Sequence, residues 1–539
     1  MPPPDELRVP SRATTLLLAV LGGLVTDAAF PQRGWWPAAM VGLALLVLAL
    51  RRDSARWGFL VALTWGLSFF LVHIWWANEA VGVVPWAALS VAQSIAVGLF
   101  AVTWIWIRRL APVARRPWLS GLAFGLAWTT WEILRSAGPF GGFPWGKLAF
   151  SQTDGPLLRL AAVGGTTLVS TLVAVLGFVL ASAWWSARRR HPARTTAAVL
   201  ALVAVPVVSL AVPLDVRAEA GTARVGIVQG NVSEPGLGAF DNAREVIGNH
   251  ADGTIGLAAD HAGELDVVLW PENAADYDPR TDAEAREAID GAATAIGAPI
   301  MLGTQSYTFG DDGRADARYN DVVLWQPGIG ATEVYAKQHP APFAEYIPLR
   351  DIARRFSAAV DLVSVDMAPG TEVGIVPVPI DGRDVPFGVA ICFEVAYDAI
   401  VRESVAQGAE VIVVPTNNAS FGETAESEQQ LAMTVFRAVE HGRAAVQVST
   451  VGVSGVVTPN GVVTQRTGLF TADALTATLG LRTSLTLATR MGTTPDVVVV
   501  AATGLLLLAG LVVPARRRRR SGSGSSGPGS TPRKAKVRA

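Results

Sequence analysis

The sequence predicts a chain of two parts: a multi-span α-helical membrane domain of about eight spans, and an α/β domain inserted before the last of them. Three observations predict it. Half of the 539 residues are hydrophobic, mean hydropathy is +0.36 and only 17% are charged, a balance that suits a membrane protein. Apolar stretches of bilayer-crossing length recur along the first 213 residues and again near the end. Between them, residues 222–480 change character to short β-rich runs alternating with polar, helix-like stretches.

The apolar stretches fall at 14–30, 35–50, 57–77, 83–107, 118–134, 157–187, 195–213 and 495–514. Arginines mark every second connection: Arg8 and Arg12, then Arg51, Arg52 and Arg56, then Arg108, Arg109, Arg115 and Arg116, then Arg188 to Arg190 with Arg194, and last Arg516 to Arg520. Basic loops stay in the cytoplasm, so the spacing predicts eight spans with both termini inside and residues 215–494 outside. The first span is followed by further spans and basic loops and has no clear cleavage site, so it is not a removable signal peptide. The domain reading is a cytoplasmic N-terminus at 1–13, seven spans over 14–214, the outer domain over 215–490, a final helix at 495–514 and a basic, Gly/Ser-rich disordered tail at 515–539.

Within the outer domain, QPGIGA between two apolar runs reads as a hairpin turn, and GVAIC, EVAYDAIVRESVAQG and AEVIVVPTNNA read as strand, helix and strand. Three polar residues sit just past predicted strands: Glu272 after VVLWP, Lys337 after TEVYA and Cys392 after FGVAI. Strand C-termini are where α/β domains gather ligands and catalytic groups. A carboxylate, an ammonium and a thiol also form a workable set, in which the carboxylate takes the thiol proton, the thiolate attacks a carbonyl and the ammonium stabilises the oxyanion. Taken one at a time they read otherwise: Cys392 as a small buried hydrophobe, Glu272 as a turn residue and Lys337 as a solvated hairpin end. Cys392 is the only cysteine, which excludes an internal disulfide framework and any CxxC metal or redox pair.

The runs LWPEN, YAKQHPAPFAEYIPL and GVAICFEV, in this order, resemble the three signature segments of the carbon-nitrogen hydrolase (nitrilase) superfamily. With seven predicted spans before and one after, and with IVQGN at 227–231, PTNNASFG at 415–422 and FRAVEHGR at 436–443, residues 14–514 resemble its membrane branch, the apolipoprotein N-acyltransferases. The resemblance implies a nitrilase-like αββα sandwich, with Glu272 as general base, Cys392 as nucleophile and Lys337 as stabiliser of the tetrahedral intermediate. It implies that Glu345 supports Lys337, and that Glu394 is the acidic residue following the nucleophile in this branch; Glu394 reads equally as a carboxylate at a helix N-terminus. Phe343, Phe393, Asn417, Asn418 and Phe421 are candidate substrate-contact residues. Two departures stand out: Ser420 where an aromatic is usual after TNNA, and no clear aromatic after QGN, where Phe240 is nearest.

The implied reaction is a ping-pong acyl transfer needing no cofactor or metal. A phospholipid acyl donor forms a thioester on Cys392, and the acyl group passes to the α-amino group of a diacylglyceryl-cysteine apolipoprotein. The implied setting is the bacterial inner membrane, with a monomer and no nucleic-acid partner. Two rivals share some of these features. A membrane-tethered amidase would use the same triad with water as acceptor, but eight spans are an odd excess for it. A transporter with an outer binding domain predicts paired polar residues deep in the spans or an internal repeat, and neither is clear. Among polar residues near the spans, Glu132 and Arg135 are three apart and predict a packing pair on one helical face. Trp35, Trp36, Trp75, Trp76 and Trp145 predict an interfacial belt.

Overall fold

The computed structural model describes residues 10–232 and 243–522; Phe240, the first nine residues and the tail beyond 522 lie outside the described residues. Each predicted span is helical: α1 (Arg12–Asp27), α2 (Pro37–Ala49), α3 (Ala55–His73), α4 (Val83–Ile107), α5 (Pro117–Ala137), α6 (Ala161–Arg188) and α7 (Pro192–Ser209) precede the outer domain, and a long helix over Thr494–Gly522 follows it. Starts are set locally. Ser11 and Ser54 accept from the amides of Thr14 and Trp57, and proline stands at the first helical position of α2, α5 and α7, where its missing N–H costs nothing.

Among the described residues five helical stretches are long and apolar enough on their own to cross a membrane: Ala55–His73, Val83–Ile107, Pro156–Arg188, Pro192–Ser209 and Thr494–Val512. The helix α2, with 13 residues, is apolar but shorter than these. Large apolar side chains such as Leu200, Val203, Leu505 and Leu508 are exposed, as lipid-facing residues would be. The basic connections gather at one end of the bundle. There Arg52 donates to the Pro10 carbonyl at 2.6 Å, Arg108 to the Leu50 carbonyl at 2.5 Å, and Arg51 lies 3.6 Å from the Trp185 ring centroid.

The outer domain has two six-stranded sheets. The strands are β1 (Thr222–Gln229), β2 (Val267–Leu269), β3 (Ile300–Phe309), β4 (Ala315–Gln326), β5 (Gly330–Ala336), β6 (Ile375–Ile380), β7 (Arg383–Val389), β8 (Val411–Thr416), β9 (Ala445–Ser449), β10 (Gly455–Val457), β11 (Val463–Arg466) and β12 (Asp473–Gly480). Their orders are β12-β1-β2-β3-β4-β5 and β11-β10-β9-β8-β7-β6. In each sheet a central parallel trio, β1-β2-β3 or β7-β8-β9, is flanked by antiparallel strands. Their facing sides share one core that includes Ile227, Leu269 and Leu324 from the first sheet and Val378, Phe387 and Val446 from the second. The helices α8 (Ala243–His261) and α9 (Ala283–Ile296) cover the outer face of the first sheet through Ile247, Ala251 and Ile289. The outer face of the second is covered by α10 (Asp398–Ala406) and α11 (Glu426–His441), completing the αββα sandwich. The last helix, over Thr494–Gly522, is α12.

The helix α11 is polar in sequence yet buried along nearly its whole length, because it lies between the second sheet and the membrane bundle. Phe436 and Val439 share one continuous apolar cluster with Phe69, Phe150 and Val173 of the membrane half. Facing α11, α6 is interrupted at Gly164 and Gly165. Gly165 has φ +61°, and a Cβ there would fall 2.4 Å from Glu440 Oε1. The helix restarts with Thr166 donating to Asp398 at 2.9 Å and Thr167 donating to Asp496, so its N-terminus faces carboxylates that suit its dipole. Ile289 is fully buried on α9, far from these joints. Ile289→Ala should cost about 2–5 kcal/mol of stability, read as a lower Tm of the detergent-solubilised protein, with acyl transfer at permissive temperature unchanged.

Candidate active site

Glu272, Lys337 and Cys392 meet at one end of the sandwich. Glu272 lies three residues past β2, Lys337 directly follows β5 and Cys392 lies three past β7. Glu272 can reach inward because β3 approaches closely at Gly303, where a Cβ would fall 2.6 Å from the Glu272 Cα. Glu272 Oε1 accepts from Asn320 at 2.6 Å and from Lys337 Nζ at 3.2 Å, and Oε2 accepts from the Asn417 amide at 2.9 Å. Lys337 Nζ also donates to Glu345 Oε1 at 2.7 Å, and Glu345 Oε2 takes the Ala341 amide at 2.6 Å. Burial alone would lower the Lys337 pKa, but the charges of Glu272 and Glu345 raise it well above its ordinary value, so the ammonium is fixed as a cation.

Cys392 begins a 3-10 turn, Cys392–Ala396, with its own backbone in the left-handed region at φ +53°. Arg437 of α11 holds that turn by donating to the carbonyls of Val395 at 2.8 Å and Ala396 at 2.9 Å. Burial and the Glu272 charge push the thiol pKa well up, with Lys337 acting against them. The resting sulfur therefore keeps its proton, and a base must remove it for attack.

Glu394 is buried in the first turn of Cys392–Ala396, where it takes the amide of the N-cap residue Ile391, so its helix-terminus reading holds locally while the same carboxylate also binds a distant segment. It accepts from the amides of Gln338 at 2.7 Å, His339 at 3.0 Å and Ile391 at 2.7 Å, and from the Tyr335 hydroxyl at 3.0 Å. One carboxylate thus ties the residues after Lys337 to the residue before Cys392. Burial pushes its pKa up to about 7, against the charge of Lys337 and those donors.

The membrane half reaches into the site through residues 138–148. Trp145 is fully buried with its ring 4.6 Å from Phe393, and Trp76 packs against both Phe393 and Phe421 at 5.7 and 5.2 Å. These two tryptophans therefore roof the Cys392 turn and do not join the interfacial belt expected for them; Trp35 and Trp75 remain exposed. Gln429 of α11 takes the indole N–H groups of Trp76 at 3.2 Å and Trp145 at 2.6 Å. Glu132 and Arg135 do not form the expected pair. Glu132 accepts from Trp128 and the Leu148 amide, both at 2.9 Å, and Arg135 donates to the carbonyls of Phe143 and Trp145, both at 2.8 Å. Loop backbone groups with no other partner outcompete a charge pair in this buried setting.

The other candidates divide. Phe343 packs edge-on to Phe140 at 5.7 Å and is partly exposed, and Phe393 and Phe421 join the aromatic roof. Asn417 contributes its backbone amide to Glu272. Asn418 faces inward, with its amide engaged by Glu426, Gln430 and Ser449, so it braces the site. Reading the sequence missed Asn320, Glu426 and Gln430. The last two stand in AESEQQL, a stretch indistinguishable by pattern from a solvated helix start. Among the described residues no three His, Cys, Asp or Glu side chains gather as a metal would require.

A thiol, a carboxylate and a carboxylate-held ammonium at the strand ends of an αββα sandwich define a carbon-nitrogen hydrolase domain, and that family profile matches residues 224–485. A second profile, the apolipoprotein N-acyltransferase N-terminal domain, matches residues 22–179. The chain is 38% identical over 516 residues to the apolipoprotein N-acyltransferase of Mycolicibacterium smegmatis, covering 91% of this chain and 84% of that one. It is 27% identical to the enzyme of Geobacter metallireducens (87% and 89% covered) and 26% identical to that of Vibrio cholerae (89% and 94%). Among solved structures, an amidase from Nesterenkonia sp. aligns with 52% of this chain and 96% of its own at 19% identity and a TM-score of 0.35, too low to bear on function. The chain belongs to the apolipoprotein N-acyltransferase family, and it is an acyltransferase.

Glu394→Gln replaces an acceptor of four donors with a side chain that must turn an NH2 toward some of them. Single-turnover acylation should slow about 10- to 100-fold, and an unchanged rate would remove Glu394 from this role. Burial, with the Glu272 charge adding to it, raises the Glu426 pKa from 4.5 to about 8. The folded protein therefore keeps a proton that the unfolded chain loses first, and this contribution to stability is full below pH 4.5 and lost as pH rises through about 8. The Tm advantage of Glu426→Gln over wild type should grow from pH 5 to pH 8.5, reaching on the order of 5 °C.

Proposed function

We propose that this chain moves a fatty acyl group from a membrane phospholipid to Cys392 as a thioester, and from there to the α-amino group of an apolipoprotein's N-terminal diacylglyceryl-cysteine. The observation that carries the reading is the buried ammonium of Lys337, held by Glu272 and Glu345 in the cluster that contains the only thiol. Glu272 takes the Cys392 proton as the sulfur attacks the ester carbonyl, and the electron pair moves to the carbonyl oxygen beside Lys337. Collapse breaks the ester C–O bond, and Glu272 returns the proton to the departing lysophospholipid oxygen. The acceptor amine then attacks the thioester while Glu272 takes its proton. The C–S bond breaks, the proton passes to the sulfur and the amide is free.

An amidase would run the same first half and then use water. The aromatic roof of Trp76, Trp145, Phe393 and Phe421, formed jointly by the two halves of the chain, favours an amphipathic acceptor delivered from the membrane. In this reading eight helices span the bacterial inner membrane with both termini in the cytoplasm and the outer domain on the far side. Two features support it: the arginine connections collect at one end of the bundle, and α11 packs at the other, where Gln429 donates to the His73 carbonyl at 3.1 Å.

Incubation with acyl-labelled phosphatidylethanolamine should leave a hydroxylamine-sensitive label on Cys392, absent from Cys392→Ala. Folded wild-type protein that takes up no label contradicts the reading. Glu272→Gln cannot accept the thiol proton and should slow labelling by about 10²- to 10⁴-fold; an unchanged rate would exclude Glu272 as the base.

A further inference from the structure

Two polar side chains outside the triad lie against the Cys392 sulfur, the Thr416 hydroxyl and the Gln430 amide. Gln430, fully buried on α11, places Nε2 3.6 Å from Cys392 Sγ. Which end of an amide is nitrogen must be inferred from its partners. The Gly452 amide donates to Ser449 Oγ at 2.8 Å, and the Ser449 hydroxyl donates to Asn418 Oδ1 at 2.5 Å. That places Asn418 Nδ2 against Glu426 Oε2 at 2.6 Å and Gln430 Oε1 at 3.0 Å, and the Thr416 hydroxyl donates to the same Gln430 oxygen at 2.9 Å. With Oε1 receiving two donors, the NH2 of Gln430 faces the sulfur. In this arrangement the hydrogen-bond chain runs from the Gly452 amide through Ser449, Asn418 and Gln430 to Sγ.

We propose that Gln430 is a further catalytic residue, an N–H donor to the Cys392 sulfur that stabilises the thiolate both when the thiol is deprotonated and when the sulfur leaves the thioester. Asn418 and Ser449 act through it as positioning residues. A neutral donor suits this place. Lys337 is committed to Glu272 and Glu345, and a second cation beside it would weaken that arrangement, whereas an amide strengthens the anionic sulfur without adding charge. The charged groups acting on the sulfur are Glu272 and Lys337, and Gln430 adds a directed dipole to their sum. The bond strengthens as negative charge grows on sulfur and weakens in the neutral thioester. It therefore favours thiolate departure over thioester persistence.

This inference rests on Cys392 as the nucleophile, and its test reads the sulfur itself, apart from acyl transfer. Because Cys392 is the only cysteine, the pH profile of iodoacetamide alkylation of the purified full-length protein reports one thiol. Gln430→Met keeps the volume and removes the donor. It should move the profile upward by about one pH unit, and lower kcat for acyl transfer about tenfold with KM for phospholipid unchanged. Ile289→Ala, which loosens a remote core, should leave the profile in place. Ser449→Ala is a minimal change that frees the Asn418 amide to turn, and it should shift the profile in the same direction by less; it keeps the test open if Gln430→Met fails to fold. Profiles matching wild type in the folded variants overturn the proposal. Failure of acyl labelling in wild type, with the alkylation shift intact, would overturn the proposed function and leave the role of Gln430 standing.

Discussion

The catalytic end of the outer domain depends on one buried ammonium. Lys337 bonds to Glu272 from the end of β2 and to Glu345 eight residues on in its own loop after β5, so two segments 65 residues apart in sequence meet on one charge. Removing it would leave two carboxylates facing each other in a dry site, an arrangement that costs several kcal/mol. The bonds that surround it follow from this. Asn320 and the Asn417 amide satisfy the remaining capacity of Glu272, the Ala341 amide does so for Glu345, and Glu394 brackets Lys337 to the nucleophile turn. The cluster is an electrostatic frame built before any substrate arrives, which is the condition under which fixed charges stabilise a developing oxyanion most.

The membrane half does more than anchor this frame. Residues 138–148 are held by Glu132 and Arg135 and deliver Trp145 onto Phe393, next to the nucleophile, while α11 is enclosed between the second sheet and the bundle. Enclosure explains why α11 carries so much polar chemistry. Arg437 holds the turn of Cys392, Gln429 joins Trp76 and Trp145, and Gln430 faces the sulfur. Each of these groups is buried and each has protein partners, as buried polar groups require. Membrane insertion and active-site geometry are in this way coupled through one helix.

Much of this could be read in the sequence, and the remainder could not for identifiable reasons. Apolar runs with turn signals place Glu272, Lys337 and Cys392 at strand ends, but each alone has a bland reading, and it is the resemblance of LWPEN, YAKQHPAPFAEYIPL and GVAICFEV to family signature segments that joins them as a set. The hairpin at QPGIGA is the antiparallel pairing of β4 with β5. What pattern alone could not show is which neighbour wins a polar group. Glu132 and Arg135, three apart, looked like a pair, yet unpaired loop amides and carbonyls claim them. Trp76 and Trp145 looked like interfacial tryptophans because position along the chain does not reveal that a second domain covers them. Glu394 read as a helix-terminal carboxylate and does stand in the first turn of Cys392–Ala396, but three of its four donors, Tyr335, Gln338 and His339, lie 55 to 59 residues away, beyond what pattern shows. Gln430 and Glu426 were hidden for the same reason as α11 as a whole: a polar helix enclosed on both faces has no apolar periodicity to betray its burial.

The central claim is that a dry, aromatic-roofed thiol site at the membrane surface hands its acyl group to an amine and not to water. The measurement that tests it most directly is product stoichiometry in vesicles containing the protein, phosphatidylethanolamine and a synthetic diacylglyceryl-cysteine peptide. The account predicts one N-acylated peptide for each lysophospholipid released, with no excess of free fatty acid over protein-free vesicles. Free fatty acid accumulating in place of the amide would contradict it.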